Sequence, residues 1–176
     1  MEHVTTLIVN YNTPKDTELA IRSAVNARAD GFVHQVIVVD NGSKEPLKLS
    51  KDMEKAGVVL IRSAANLGFT GGNNLAMSHA VKEFQTDYFF LLNPDAEVEK
   101  DGVQKLYEAI KDDPKAGIAV SKIYFTPGLE YHRKSYSRAE KGKVIWYAGG
   151  SIDWPNLVAD HRGVDEVDRK QFDHQT

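Results

Sequence analysis

The feature of this sequence best suited to chemistry is a carboxylate that follows an apolar run. Tyr88 to Leu92 is continuously apolar, which predicts a buried strand, and Asn93-Pro94-Asp95 comes directly after it. In open α/β sheets, ligands bind just beyond the carboxyl ends of the strands. Asp95 is therefore positioned to hold a divalent cation against a diphosphate, because such cations prefer oxygen ligands. A plain turn is the alternative, since Asn, Pro and Asp are all common in turns.

Two other predicted strands also end in polar, turn-forming residues. The β-branched run Val4 to Val9 is followed by Asn10-Tyr11-Asn12, and Val36 to Val39 is followed by Asp40-Asn41-Gly42-Ser43. A glycine-rich segment, Asn66 to Asn74, then opens a helical pattern. Glycines let a ligand approach the backbone, and a helix N-terminus favours anions. Together these signals predict one polar cleft along one edge of a sheet.

Strand and helix patterns alternate up to about residue 125. Apolar residues recur at helical spacing after Pro14, over residues 76–84 and over residues 103–110, and a short helix is predicted within residues 47–56. Further strands are predicted at residues 58–61 and 118–125. This alternation favours an α/β fold with a mostly parallel sheet and helices on both faces. From Asp160 onward the chain is charged and poor in apolar residues, which is typical of a segment without fixed structure.

Composition sets the bounds of the function. The 176 residues suggest one domain, 41% of them are apolar, and the net charge of −3 gives no overall field that favours nucleic acid as a partner. Cysteine is absent from the sequence, which excludes disulfides and thiolate metal sites. No basic, apolar leader precedes the first predicted strand, and no apolar run is long enough to cross a membrane. We therefore expect no transmembrane segment and a cytoplasmic location.

The order of the motifs resembles a known family. VNYN, VVDNGS, NLGFTGGNN and FFLLNPDAEV are similar in order and spacing to family 2 glycosyltransferases, and most resemble the rhamnosyltransferase-like branch. These enzymes have the GT-A fold, a Rossmann-like fold of nucleotide-diphospho-sugar transferases. Later segments match as well, so the resemblance covers essentially the whole chain: residues 146–150, 152–153 and 161–163.

The resemblance implies an enzyme with a defined reaction. It would transfer a sugar from a UDP- or dTDP-sugar to a saccharide or lipid-linked saccharide acceptor in the synthesis of cell-surface polysaccharide. It would invert the transferred sugar, use Mg²⁺ or Mn²⁺ as a cofactor, and work in the cytoplasm, peripheral to the inner face of the membrane.

The resemblance also assigns roles to single residues. Asp40 resembles the residue that recognises a pyrimidine base, whose N3–H a carboxylate can accept, and Tyr11 offers an aromatic face along that base. Asp95 resembles the metal ligand. Alternatives remain open at three positions: an Asx turn at Asp40, a surface turn at Tyr11 and a helix cap at Asn73. The whole expected donor-binding set is Val9, Tyr11, Asn12, Asp40, Asn66, Gly71, Gly72, Asn73, Asn93 and Asp95.

One position departs from the family pattern. The family often has two aspartates in an Asp-x-Asp arrangement, and Asn93 stands at the first of them. Because Asn93 carries no charge, we expect it to contact the nucleotide or a metal-bound water. Glu97 is either a second carboxylate near the metal or a surface acid. The spacing of His132, His161 and His174 is not that of metal ligands, and we expect them to be solvated.

We expect the chain to divide by function near residue 125. Residues 1–125 would bind the nucleotide sugar, and residues 126–176 would begin the acceptor side of the domain. Gly128 to Lys143 is either a solvated loop or a flap that contacts phosphate. Its basic residues are Arg133, Lys134, Arg138, Lys141 and Lys143.

The general base that an inverting transferase needs is missing from the sequence. In the family it is an acidic residue near a later Glu-Asp type motif, and no such motif occurs up to Thr176. Asp153 and Asp165 could approach an acceptor, although surface acids look the same in sequence. We therefore expect a truncated domain that binds donor, transfers sugar poorly, and self-associates through uncovered apolar surface.

A non-catalytic nucleotide-sugar-binding module is the main alternative to an enzyme. Two other classes of protein are excluded because the sequence lacks the glycine-containing motifs that they require. The turn after the first predicted strand contains no glycine, unlike that of dinucleotide-dependent oxidoreductases, and the lysine loop of P-loop ATPases is absent from the sequence.

Overall fold

The structure is a computed structural model that describes residues 1–173, so His174 lies outside the described residues. The chain forms two units, Met1–Ala116 and Gly117–Thr176. The division by function near residue 125 stays a prediction. No helix within residues 1–173 is long and apolar enough to cross a membrane.

Four strands of the first unit form one parallel sheet. They are β1 (Glu2–Asn10), β2 (Phe32–Asn41), β3 (Val59–Ser63) and β4 (Tyr88–Leu91), and their order in the sheet is β3-β2-β1-β4. The helices of this unit are α1 (Pro14–Val25), α2 (Lys51–Lys55), α3 (Gly68–Phe84) and α4 (Gly102–Asp112). Because the four strands are parallel, their carboxyl ends all lie along one edge of the sheet.

Both faces of this sheet are covered by helices. Neighbouring residues of a strand point to opposite faces. Accordingly, Ile8 of β1 packs with Ile21 of α1, whereas Leu7 packs with Ala76 of α3. Residues 36–39 of β2 are buried throughout, as expected of a central strand between two helical layers. The predicted α/β architecture, a parallel sheet with helices on both faces, is confirmed.

Two helices differ in extent from the sequence prediction. The helix predicted within residues 47–56 is confined to α2, which Ser50 caps by accepting a hydrogen bond from the Met53 amide. Leu47 lies outside this helix, because the backbone at Ser50 is extended, with φ −73° and ψ 157°; the Leu47 amide donates to Asp40 Oδ2 at 3.0 Å instead. The pattern over residues 76–84 belongs to α3, which begins earlier, at Gly68.

The second unit contains short antiparallel strand pairs. β5 (Ile123–Tyr124) pairs with β6 (Ile145–Tyr147), and β7 (Gly150–Asp153) pairs with β8 (Val158–His161). The strand predicted over residues 118–125 is wrong outside β5. Ile118 and Val120 are 83% and 61% exposed and pair with no strand among the residues that the structure describes, so nothing stabilises an extended run there.

The chain after Asp160 is better ordered than its composition predicts. Asp168 accepts hydrogen bonds from Lys122 Nζ at 2.9 Å and from the Tyr124 hydroxyl at 2.5 Å. These contacts connect residues far apart in sequence, which composition alone cannot reveal. The expectation of a segment without fixed structure is therefore wrong up to residue 173.

A half-buried histidine makes the stability of the first unit depend on pH. His34 lies on β2, its Nε2 is 2.7 Å from Thr6 Oγ1 on β1, and burial lowers the pKa of its imidazole below the ordinary value. The unfolded chain, in which histidine titrates near pH 6.5, takes up this proton before the folded chain does. The contribution to stability is complete above about pH 6.5 and is lost as the pH falls from there.

We predict that the free energy of unfolding falls below about pH 6.5 by up to about 1.4 kcal/mol per pH unit. His34→Gln removes the titrating group and should remove most of that slope down to about pH 5, where carboxylates begin to contribute. Urea unfolding of both proteins at a series of pH values measures the effect. Identical slopes for the two proteins would contradict it.

Candidate functional site

Asn10 joins the ends of the two central strands. Its side chain is buried, and its Nδ2 donates to Asp40 Oδ1 at 3.1 Å and to Ser43 Oγ at 3.0 Å. Its Oδ1 accepts hydrogen bonds from Thr17 Oγ1 at 2.9 Å and from the Thr13 amide at 3.3 Å. One asparagine therefore fixes the end of β1, the loop after β2 and the start of α1 relative to one another.

The Asp40 carboxylate lies inside this edge of the sheet. It is 1% exposed, and four protein groups donate to it: Asn10 Nδ2, the amides of Ser43 and Leu47, and Arg62 Nη1. Burial raises the pKa of the carboxyl, but hydrogen bonds from Ser43, Leu47 and Asn10 outweigh it and hold the pKa below its ordinary value. Asp40 is therefore ionised and fully hydrogen-bonded within the protein.

Arg62 covers Asp40 from the solvent side. It lies on β3, its side chain is 43% exposed, and its Nη2 donates to the Ser43 carbonyl at 3.0 Å. Asp40 Oδ1 also accepts the Ser43 amide, three residues on, at 3.3 Å, whereas an Asx turn would use the amide of Gly42, two residues on. A ligand N–H reaches the carboxylate only if one of the present donors moves, and Arg62 is the exposed one.

The loop after β1 is fixed to the loop after β2. The Asn12 amide donates to Ser43 Oγ at 3.0 Å, and Asn12 Oδ1 accepts the Lys44 amide at 2.9 Å. Asn12 has a φ of 59°, in the left-handed region that asparagine tolerates better than most residues. Tyr11 is 44% exposed on this constrained backbone, so it is accessible to a ligand.

Asn41 makes the corresponding connection to the segment that leads into α3. It is 2% exposed; its Nδ2 donates to Asn66 Oδ1 and to the Gly68 carbonyl, both at 3.0 Å, and its Oδ1 accepts the Leu67 amide at 3.0 Å. Asn66 itself is exposed. The exits of β1, β2 and β3 are thus joined by buried amide and carboxylate groups.

Gly71, Gly72 and Asn73 lie within α3 rather than before it. A Cβ on Gly72 would lie 2.7 Å from Val9 Cγ1, so this glycine lets the helix pack closely on β1. Asn73 is 5% exposed and its Nδ2 donates to the Phe69 carbonyl at 2.9 Å. The helix cap considered at Asn73 is therefore wrong. Contacts of these three residues with a donor stay predictions.

The segment after β4 carries the accessible carboxylates. The Leu92 amide still donates to the Leu7 carbonyl at 3.0 Å, so the chain leaves the sheet at Asn93. Asn93, Asp95 and Glu97 are exposed. The Asp95 carboxylate forms no hydrogen bond or ion pair with any residue from 1 to 173.

Any metal at this edge would need ligands from outside the protein. In the described part of the chain, no three His, Cys, Asp or Glu side chains come together in a group that could hold a metal. Mg²⁺ commonly uses one or two carboxylates and completes its shell with phosphate oxygens and water. A single exposed carboxylate such as Asp95 fits that pattern.

In the second unit, two acids that we considered as bases have local partners. The Tyr136 hydroxyl donates to the Asp165 side chain and to its carbonyl at 2.9 Å, and His132 Nε2 is 3.0 Å from the other carboxylate oxygen. Asp153 accepts hydrogen bonds from the amide and side chain of Asn156, at the turn between β7 and β8. His132 is 56% exposed, as expected of a solvated histidine, and it also has a specific partner in Asp165.

The site has an inner layer that sequence reasoning missed. It consists of Asn10, Asn41, Ser43 and Arg62, which are at or near strand ends. Asn10 and Arg62 each follow an apolar run directly, and Asn41 and Ser43 belong to the turn-forming residues after Val39, which is the signal that could have found them. The outer layer presents an aromatic ring, amides, a carboxylate and the N-terminus of α3, which together suit a ligand with a flat ring and a diphosphate.

We predict that replacing Gly42 destabilises the protein, because the loop after β2 closely approaches the loop after β3 at this residue. Its φ is 77°, and a Cβ would lie 2.5 Å from the Ala65 carbonyl carbon and 2.7 Å from the Asn66 nitrogen. Gly42→Ala should lose about 1–2 kcal/mol from the left-handed backbone and a further 1–3 kcal/mol or so from the clash.

Gly57→Ala is the matched control for Gly42→Ala. Gly57 has a φ of 78°, but no atom lies within 4 Å of its Cβ position. Chemical denaturation should therefore show for Gly57→Ala only the loss of about 1–2 kcal/mol in unfolding free energy that comes from the left-handed backbone. Equal losses in the two variants would mean that the close approach of the loops contributes nothing.

Comparison with known proteins identifies the family. The family model described as Glycosyl transferase family 2 matches residues 5–163. In sequence the chain is 30% identical over 109 residues to the low-salt glycan biosynthesis hexosyltransferase Agl10 of Haloferax volcanii. The matched region covers 61% of this chain and 32% of that protein. The chain thus spans about a third of the length of this curated relative.

The structural comparisons agree on the fold. The chain is similar to S. aureus TarS with a TM-score of 0.51 and 16% identity, covering 72% of this chain and 25% of that chain. TarS 1–349 in complex with UDP also gives a TM-score of 0.51 at 16% identity, and the match covers 72% of this chain and 40% of that chain. Its complex with UDP-GlcNAc also gives a TM-score of 0.51, at 16% identity, over 72% of this chain and 39% of that one.

These similarities confirm the predicted GT-A fold class, whereas the rhamnosyltransferase-like branch stays a prediction. Because the family model matches most of its length, this chain belongs to glycosyltransferase family 2.

Proposed function

We propose that this chain is the donor-binding part of a glycosyltransferase that uses a UDP- or dTDP-sugar. The observation that carries the proposal is the Asp95 carboxylate, which is exposed at the carboxyl edge of a parallel sheet and has no partner within residues 1–173. Family membership supports the reaction class. The name of Agl10 as a hexosyltransferase, and the TarS complexes with UDP and UDP-GlcNAc, support a nucleotide sugar as the ligand.

In this proposal Asp95 would be the protein's ligand to Mg²⁺ or Mn²⁺ bound with the donor. The donor set fits, because one exposed carboxylate leaves the remaining positions to phosphate and water. The bound cation would supply Lewis-acid stabilisation of the departing diphosphate, worth several kcal/mol. Asn93 would contact the nucleotide or a water on the cation, and the first backbone N–H groups of α3 would favour the negative charge of the diphosphate.

The donor base lies along the ends of β1 and β2. Tyr11 offers an aromatic face, and Asp40 accepts the N3–H of uracil or thymine when the Arg62 guanidinium gives up one of its contacts. Exchanging one charged donor for a ligand donor keeps the buried carboxylate hydrogen-bonded, as its burial requires. The other residues proposed to line the donor are Val9, Asn12, Asn66, Gly71, Gly72 and Asn73.

The complete reaction would invert the transferred sugar. The acceptor hydroxyl of a saccharide or lipid-linked saccharide attacks the anomeric carbon opposite the diphosphate, and a general base takes its proton. We do not assign that base to Asp153 or Asp165, because both are held by local hydrogen bonds. We propose a cytoplasmic reaction in the synthesis of cell-surface polysaccharide.

We predict that Asp95→Asn reduces the gain in UDP affinity that Mn²⁺ provides. Loss of one charge-assisted ligand, worth about 1.5–3 kcal/mol, corresponds to a tenfold or larger decrease at about 1.4 kcal/mol per tenfold. Calorimetric titration of UDP with and without Mn²⁺ measures this gain. Affinity without the metal should change little, because Asp95 acts through the cation.

Glu97→Gln is the matched control for Asp95→Asn. Glu97 is also exposed after β4 and also has no partner in the described residues. It should keep the full Mn²⁺-dependent gain. The assignment of Asp95 fails if Asp95→Asn keeps that gain, or if both variants lose it equally.

We also predict that UDP and dTDP bind more tightly than CDP. Cytosine presents an acceptor at N3, which would face the Asp40 carboxylate, whereas uracil and thymine present a donor. Competition binding to the wild-type chain measures the ratio of affinities. Asp40→Asn, assayed at a temperature where it remains folded, should reduce that ratio. Equal affinities for UDP and CDP in the wild type would refute base recognition by Asp40.

A further inference from the structure

The second unit contains a basic loop, residues 128–143, whose cations form no ion pair within residues 1–173. Five of its sixteen residues are basic and two are acidic. All five basic side chains are exposed, and none forms a hydrogen bond or ion pair with a residue in the described part of the chain. They are Arg133, Lys134, Arg138, Lys141 and Lys143.

The two acids do not neutralise these cations through direct pairs. Glu130 is 1% exposed and accepts hydrogen bonds from the Gly128 amide at 2.7 Å and from the Gly142 amide at 3.2 Å. Glu140 accepts hydrogen bonds from the amide and hydroxyl of Ser137, at 2.9 and 2.7 Å. Both carboxylates therefore serve the backbone of the loop and leave a basic outer surface.

The loop has a defined conformation. Glu130 closes its neck, since Gly128 and Gly142 stand at opposite ends of it. Its middle is held by the Tyr136 hydroxyl, which donates to Asp165, and by His132, which lies 3.0 Å from the same carboxylate. A loop fixed at its neck and its middle can bind a partner with little loss of backbone freedom.

Large apolar side chains are exposed beside the neck. Leu129 is 58% exposed and Tyr131 is 74% exposed, on either side of the buried Glu130. Nucleic acid or another soluble polyanion would explain the cations but not the leucine. Basic residues together with exposed aromatic and aliphatic side chains are typical of segments that bind the surface of an anionic membrane.

We propose that the basic loop docks this protein on an anionic lipid surface. The lysines and arginines attract the lipid head groups, and Leu129 and Tyr131 enter the boundary between head groups and acyl chains. Each cation near such a surface contributes roughly fivefold in affinity, which is about 1 kcal/mol. The proposal does not depend on donor binding, because its residues are separate from those proposed to bind the nucleotide sugar.

The test is flotation of the chain with vesicles. Vesicles of phosphatidylcholine that contain phosphatidylglycerol should bind the protein, and vesicles of phosphatidylcholine alone should not. Arg133→Gln combined with Lys134→Gln should weaken binding on the order of twentyfold, from two cations at roughly fivefold each. Added salt should weaken binding of the wild type.

Lys51→Gln combined with Lys55→Gln is the control for charge. It changes the net charge equally, on exposed side chains of α2, and should keep the wild-type affinity for vesicles. Tyr131→Ser tests the apolar contribution: it should weaken binding to anionic vesicles and leave binding to heparin, a soluble polyanion, unchanged. All substituted residues are exposed, so the variants should unfold at the wild-type temperature.

Several results would overturn the proposal. They are no binding to anionic vesicles, equal binding to neutral vesicles, and equal losses in the loop variant and the α2 control. Binding to heparin without binding to vesicles would assign the loop to a soluble polyanion instead.

Discussion

The buried charge of Asp40 is the constraint on which the carboxyl edge of the sheet depends. An ionised carboxylate that is 1% exposed is costly unless protein donors replace its water. Its donors come from β1, from the loop after β2 and from β3. Those segments cannot separate without uncovering the charge, and removal of one partner from a buried charge typically costs about 3–5 kcal/mol. The requirement to pair one carboxylate thus fixes three strand exits.

This inner layer determines what the outer layer can do. Tyr11, Asn12 and Asn66 are exposed, while the backbone that carries them is tied to buried groups. A ligand therefore meets a surface that is already ordered, which reduces the entropy lost on binding. Asp95 is different, because it follows β4 and its carboxylate forms no hydrogen bond or ion pair with any residue from 1 to 173. The base and metal parts of the proposed site are thus built by separate means.

The sequence predicted the elements well and their connections poorly. Apolar runs and helical periodicity located the four strands and the helices of the first unit, and the polar strand exits located the edge. The pairing of Asp40 with Arg62 was not predictable, because it joins residues on different strands whose register is set by the fold. Sequence alone does not show that Gly72 lets α3 pack closely on Val9, and its contact with a donor stays a prediction. Apolar runs also misled at Ile118, which pairs with no strand within residues 1–173.

A crystal structure of the chain with UDP and Mn²⁺ tests the central claim most directly, which is that this edge of the sheet binds the donor. The account predicts the metal bonded to an Asp95 oxygen and to the diphosphate. It also predicts uracil against Tyr11, with Arg62 moved from Asp40. UDP bound away from the strand exits, or a diphosphate and metal held without Asp95, would contradict it.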